Sequence, residues 1–466
     1  MGMLSNKLLK QFNKESTHLI ISGYPVRDGH TNNYGISWYT KETIEPLAKK
    51  KKARFIVLAE TNGHNEPKVY QDGHILVLRV FDQRRLSLYP HILTWLHKFN
   101  NVKDVYVHSE FGANGGIKNF AFLIPFLTLI KLTGRNITFF AHNFVESFDS
   151  IAGHLNFSKG SAKLKIFNLL LSVYNNVLTR VVDRVVVLDE AIKNRLEKYI
   201  STDRIISFPI SIKRPEKKLS KAQARNKLNI KKDEKVLLYF GFVTHYKGAD
   251  WIIGKISAYL KKHPKSNIRL IIAGGEAHSL KDKMYYQTYY KQQLEKASKN
   301  SKIIVTGFLP GNEIGTYFSA ADLVVYPYRG LIGASGALTY ALAYNKPFML
   351  SRALSLILNS DDCQNALLSN KLTEAHISFD LSQHGFNKIM HILGDDKTLQ
   401  LMKHTSKLIA DAREYAVVLD SYYQYIYGKD LLINPLVSLS ETIEYLNKKV
   451  GNFIAQYADL AIKNIK

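Results

Sequence analysis

The chain has 466 residues, 46% apolar and 22% charged, enough to bury two or three cores. Its 27 glycines and 12 prolines are too few for a linker-dominated chain, and its single cysteine, Cys363, excludes an internal disulfide and a cysteine zinc site. A net charge of +25 favours polyanionic partners (nucleic acid, anionic lipid or phosphorylated substrates), against the plainer reading of a lysine-rich surface.

The start, "MGMLSNKLLKQFNKE", carries no secretory signal, and Asn6 stands where a myristoylation pattern wants Ser or Thr. Six apolar runs follow: "HLIISGYP", "ARFIVLAE", "HILVLRVF", "DVYVHSE", "NITFFAHN" and "RVVVLDE". Several are uninterrupted by polar residues, as parallel strands covered on both faces should be. Amphipathic stretches such as "SWYTKETIEPLAKK" and "EAIKNRLEKYI" lie between most of them. The longest apolar run, Phe120 to Ile130, falls far short of the ~20 residues of a bilayer span, so no transmembrane helix is expected. A polar, basic segment around "SIKRPEKK" reads as a linker. A second strand series then begins: "KVLLYFG", "RLIIAGG", "KIIVTGF", "LVVYPY" and "PFMLS". Two strand–helix–strand series imply two doubly wound α/β domains. We place them at residues 1–212 and 213–411, followed by an aromatic-rich helix at 412–430 and a helical tail at 431–466.

Ligands of open parallel sheets bind beyond the carboxyl ends of the strands, so the strand-to-helix turns carry the candidate site. In "FGFVTHYKGADWII", Gly241 allows a tight turn and Lys247 is a cation just before a helix opened by Gly248. Gly274 follows the next strand; Phe308 and Leu309 lie where a base could stack, or where a loop simply packs. In "YPYRGLIGASGALTYALAYNKP", Arg329 could bind a phosphate through two bonds. Ser335, Gly336, Ala337 and Leu338 would begin a helix whose free N–H groups point outward. The first series offers an opposing edge: Gly35 entering a helix, His108 and Glu110 at one strand end, His142 and Asn143 at another.

Together these turns resemble the retaining glycosyltransferases of family 4 over roughly Thr17 to Gly428. "HSEFGANGG" resembles "HEFGxxGG", "FFAHNF" resembles "TxHN", and "YFGFVTHYKGADWII" resembles "FFGxIRxYKGxxxLI". The stretch from "VTGFLPGNEI" to "ALAYNKP" resembles "ADxxVLPYR…SGxxxxALAxGxP". The resemblance implies a GT-B architecture: two Rossmann-like domains facing each other across a cleft, with C-terminal helices, the second domain binding a nucleotide-sugar donor. It implies that Lys247 and Arg329 hold the diphosphate with the amides after Ser335, and that His142 lines the sugar pocket and helps the transfer. Gly35 matches the loop approaching the phosphates, Phe308 and Leu309 the base-binding turn. It implies transfer with retention, no bound metal and no cofactor beyond the donor substrate. The chain departs from the family at the paired glutamates, which would fall at Ile332 and Tyr340, and at Asn345, where glycine is usual.

The acceptor is expected against the first domain, at His108, Glu110 and Asn143. The segment "FSKGSAKLKIFNLLLSVYNNVLTRVVDR", with Lys159, Lys163 and Lys165 beside apolar residues, is either a core helix with a solvated face or a helix resting on anionic membrane. A saccharide or lipid-linked acceptor, and a cytoplasmic location with peripheral contact at the inner face of the cell membrane, follow from the second reading. Two alternatives stand. A non-catalytic GT-B-like binding protein is favoured by the missing carboxylates. A nucleic-acid binder is suggested by charge alone, with no RNA-recognition signature, and no nucleic acid is expected.

Overall fold

The structure is a computed structural model describing residues 4–26, 35–61, 67–82, 85–110, 117–155, 157–158, 160–277 and 280–428. Apolar runs became strands because both faces of each are covered: all five residues of β1 (Thr17–Ile21) and six of the seven in β2 (Arg54–Glu60) are buried. The first sheet continues with β3 (Val69–Asp72), β4 (Ile75–Phe81), β5 (Asp104–Ser109), β6 (Asn136–Ala141), β7 (Arg184–Val187) and β8 (Ile205–Ser207). Its order is β3-β4-β2-β1-β5-β6-β7-β8, with every neighbour pair parallel except β3 with β4. Ile20 pairs with Val57 on one side and Tyr106 on the other, which fixes the register at the sheet centre.

The second sheet contains β9 (Lys235–Phe240), β10 (Ile268–Ala273), β11 (Ile303–Val305), β12 (Leu323–Tyr326), β13 (Phe348–Ser351) and β14 (Ser378–Phe379). Its order, β11-β10-β9-β12-β13-β14, is parallel throughout. In both sheets the order reverses beside the first strand of the series, which opens a crevice at the carboxyl edge. Three short strands, β3, β8 and β14, were not expected from the sequence; they are two to four residues long and lack an apolar run to announce them.

The chain returns to its first half at the end. The Ile212 amide donates to the Arg413 carbonyl at 2.8 Å. The Tyr415–Tyr422 helix and the π-turn Tyr423–Tyr427 then bury Leu419, Tyr422, Ile426 and Tyr427 in the same cluster as Ile20, Phe55 and Tyr106. The expected tail helix at 431–466 lies outside the described residues. No described helix is long and apolar enough to cross a membrane.

Candidate active site

The second sheet supplies a caged cation. Gly241 follows β9 with φ +130, and a Cβ there would stand 3.3 Å from the Lys247 Nζ, so the ammonium lies directly over that glycine. The Nζ is 5.6 Å from the Tyr328 ring centre, 5.7 Å from Phe242 and 6.0 Å from Tyr246. Burial works against its charge, but Tyr328, Tyr246 and the Glu110 carboxylate outweigh this and hold its pKa above the usual lysine range. Glu110 belongs to the first half, just after β5. Burial raises its pKa while Lys247 draws it back, so the two charges neighbour each other across the two halves. The sequence grouped Glu110 with the acceptor side; in the structure it is an electrostatic neighbour of Lys247.

Arg329 is engaged differently from the expected phosphate clamp. Its Nη1 and Nη2 hold Asp250 bidentately at 2.8 and 2.7 Å, Nη1 also donates to the His245 carbonyl, and its own amide donates to the Tyr246 carbonyl at 2.7 Å. Burial opposes its charge, and Asp250 overrides that. Asp250 also accepts from the Tyr289 hydroxyl at 3.0 Å. Arg329 thus ties the Lys247 turn to the turn after β12. Gly248, at φ +74, lets these turns meet: a Cβ would lie 1.9 Å from the Pro327 carbonyl oxygen.

The Gly336–Ala343 helix starts with Ser335, whose Oγ accepts the Leu338 N–H at 3.3 Å. The Leu338 amide is therefore already capped, contrary to the expectation that it points outward. Gly336 and Ala337 provide the amides left at that terminus. Ser335 also borders a small cavity of about 20 Å3 shared with Asp189 and Arg413. Of the base-turn pair, Phe308 is 65% exposed, whereas Leu309 is buried in the main core. Gly274 lies beneath the first turn, its α-carbon packed on the Gly241 carbonyl.

The first sheet supplies a histidine pair. His142 Nε2 and His108 Nδ1 are 3.0 Å apart, and His108 Nδ1 also lies 3.4 Å from the Thr40 hydroxyl. Burial, and for His108 the neighbouring His142, depress both pKa values, that of His142 to about 3, so both rings are neutral at pH 7. Tyr39 packs edge-on against His142 at 4.9 Å, and Phe140 stacks on His108 at 4.1 Å. Tyr39 and Thr40 stand one turn into the Gly35–Lys50 helix; Gly35 itself opens that helix with free space above its α-carbon. Asn143 pairs with Gly333 in an antiparallel bridge, the Phe144 amide donates to the Ile332 carbonyl at 2.6 Å, and Arg195 reaches the Leu331 carbonyl at 2.5 Å. The loop after Arg329 is therefore clamped onto the His142 edge.

At the two positions where the resemblance placed carboxylates, side chains pack instead. Ile332 joins the apolar cluster of Val145, Phe148 and Leu164, and Tyr340 stacks near Phe240 and Phe318. Tyr328, Asp250 and Thr40 were missed from sequence; only Asp250 had a signal, an acid three residues past Lys247 in the first helical turn. Among the described residues, no cluster of three or more His, Cys, Asp or Glu side chains could hold a metal ion.

With this geometry in place, residues 234–375 match the family model described as Glycosyl transferases group 1. The chain is similar to sucrose-phosphate synthase from Thermosynechococcus elongatus, with a TM-score of 0.65 at 15% identity, covering 88% of this chain and 98% of that one. The fold is GT-B. The chain is similar to Anabaena HepE in complex with UDP and glucose, with a TM-score of 0.60 at 13% identity, covering 89% and 100%. It is also 26% identical over 197 residues to the alpha-monoglucosyldiacylglycerol synthase of Streptococcus pneumoniae, 41% of this chain and 40% of that protein. The matched stretches span a quarter to two fifths of the curated relatives' length.

Proposed function

We propose that the chain is a retaining, metal-independent hexosyltransferase that moves a sugar from a nucleotide-sugar donor to a saccharide or lipid-linked acceptor. Cell-surface polysaccharide or glycolipid synthesis, at the inner face of the cell membrane, is the setting this reading fits. The observation that carries it is the Lys247 ammonium, caged over Gly241 with Glu110 as its charged neighbour. A half-buried ammonium over a glycine backbone can meet a diphosphate, and the amides of Gly336 and Ala337 offer further donors. The matched family model and the UDP and glucose bound in the Anabaena structure support a nucleotide-sugar as the ligand.

In this reading Phe308 stacks on the base and Gly35 leaves room near the phosphates. His142 stays neutral and meets the sugar hydroxyls as a hydrogen-bond partner. The anomeric carbon–oxygen bond to the diphosphate breaks, the acceptor oxygen bonds on the same face, and its proton passes to the leaving diphosphate oxygen. Lys247 stabilises the charge that develops there, an effect on the order of 3 kcal/mol for one such donor. Arg329 acts through Asp250, positioning the turn that carries Lys247.

A thermal-shift screen with nucleoside diphosphates and nucleotide sugars tests the reading. A ligand at 100 times its Kd adds about 2.7 kcal/mol. One nucleotide series should raise the melting temperature; a flat response to all of them contradicts the proposal. The packed side chains at Ile332 and Tyr340 favour a second reading, a GT-B-like binding protein without turnover. Nucleotide binding without donor hydrolysis or transfer would select it.

A further inference from the structure

The segment that crosses back from the second half reaches the histidine wall. Tyr415 and Tyr422 stand seven residues apart on its helix, about two turns, so they share a face with Leu419 between them. Both touch the Gly35–Lys50 helix of the first half. The Tyr415 hydroxyl donates to the Thr43 carbonyl at 2.5 Å, and the Tyr422 and Tyr39 hydroxyls share a hydrogen bond. Tyr422 is itself fixed: its ring is buried, with Phe208 edge-on at 5.1 Å. The start of the crossing helix is anchored in the second half, where Arg413 binds Asp362 through Nε and Nη2.

Tyr39 carries the contact onward. Its ring meets His142 at 4.9 Å and 84°, and lies 6.0 Å from His108. Thr40, the next residue, reaches His108 Nδ1 at 3.4 Å and Ser22 at 2.7 Å. One helical turn therefore sets both imidazoles. That turn is braced on one side only, since Gly35 has open space above it and Trp38 is 41% exposed. The Tyr39 hydroxyl has two hydrogen-bonding neighbours, Tyr422 and Thr43. Thr43 lies one turn further along the same helix, so it moves with Tyr39 and cannot hold it against anything else. Tyr422 belongs to a separate element and can.

We propose that Tyr422 is a positioning residue: through its hydrogen bond to Tyr39 it sets the His142 ring, so that the crossing helix completes the histidine wall of the active site. This rests on the transferase reading for the role of His142. A catalytic group displaced by about 1 Å can cost ~100-fold in rate, which is why a single hydroxyl two residues removed from the sugar matters.

The test is Tyr422→Phe, which keeps the ring and removes the hydroxyl. In magnetic resonance of protein isotope-labelled at the histidine Cε1 positions, the His142 signal is identified by its loss in His142→Gln. In Tyr422→Phe that signal should shift, because the Tyr39 ring edge beside it moves, while the signal of exposed His97 stays. In hydrolysis of the nucleotide-sugar found in the thermal screen, kcat should fall about 5- to 10-fold. The donor KM and the nucleoside diphosphate Kd, governed by Lys247 on the opposite wall, should not change. Tyr415→Phe is the control: it breaks the crossing helix's other hydrogen bond, so it should lower the melting temperature and leave the His142 signal and kcat as they are. If Tyr422→Phe does not fold, Tyr39→Phe breaks the same bond at a half-buried position and should give the same two changes. An unmoved His142 signal, an unchanged kcat, or equal effects from Tyr415→Phe overturns the proposal, because Tyr422 then only holds the crossing helix down. The signal is read without donor or acceptor, so the two failures separate. A shifted His142 signal in a protein whose natural chain neither hydrolyses nor transfers would overturn the transferase reading and leave the link from Tyr422 to His142 standing.

Discussion

Two residues define the opposing walls of the candidate site, and both owe their charge state to what surrounds them. Lys247 keeps its proton because the Tyr328 and Tyr246 phenol groups, a hydrogen bond to Tyr328, and Glu110 outweigh burial. His142 and His108 lose theirs because burial opposes protonation, with His142 adding to the effect on His108. The consequence for stability has a definite sign. In the unfolded chain histidine titrates near ~6.5. Below that pH the unfolded state binds protons that the folded pair refuses, so stability falls as pH drops through 6.5 and on toward about 3. His142→Gln should flatten the melting temperature between about pH 6 and about pH 4, below the unfolded histidine value, relative to the natural chain. Equal slopes in both would show that the pair is not buried neutral. The strand-end histidines were legible as residues in the sequence, because each closes an apolar run. Their pairing was not, because it depends on β5 and β6 lying side by side.

At the scale of elements, the two turns around Lys247 and Arg329 behave as one unit. Sequence showed a cation before a helix and an arginine after a strand, both typical of phosphate sites. It could not show that Asp250, at the start of the next helix, would bind the arginine through both guanidinium nitrogens. Leu309 was unreadable for a similar reason: beside exposed Phe308, its burial is decided by the core below it. Asn345 was readable only in part. It ends the Gly336–Ala343 helix at φ +51, a left-handed position that asparagine tolerates in place of glycine. Gly248 gives the unit its sharpest test. Gly248→Ala adds a methyl 1.9 Å from the Pro327 oxygen at a positive φ. It should cost about 1–3 kcal/mol in urea denaturation and displace Lys247, weakening nucleotide binding as well. A variant as stable as the natural chain would mean the turns do not pack as described.

For the molecule as a whole, fold class was the most legible property. Uninterrupted apolar runs alternating with helices leave few options besides doubly wound parallel sheets, and both sheets are of that kind. The contact between the halves was not legible, because it depends on backbone. Gly333 sits against His142, where a Cβ would stand 2.4 Å from the carbonyl oxygen, and Asn143 pairs with it. Gly333→Val should push the two halves apart. Small-angle scattering should then show a larger radius of gyration, with circular dichroism unchanged. An unaltered radius would show that this bridge does not hold the halves together.

The central claim is that Lys247 grips a diphosphate. Calorimetric titration of the nucleoside diphosphate found in the thermal screen, and of its monophosphate, measures this directly on the natural chain and on Lys247→Ala. The account predicts that the diphosphate Kd rises about 10- to 100-fold in the variant, while the weaker monophosphate Kd changes far less. Equal diphosphate affinity in the two proteins would contradict it.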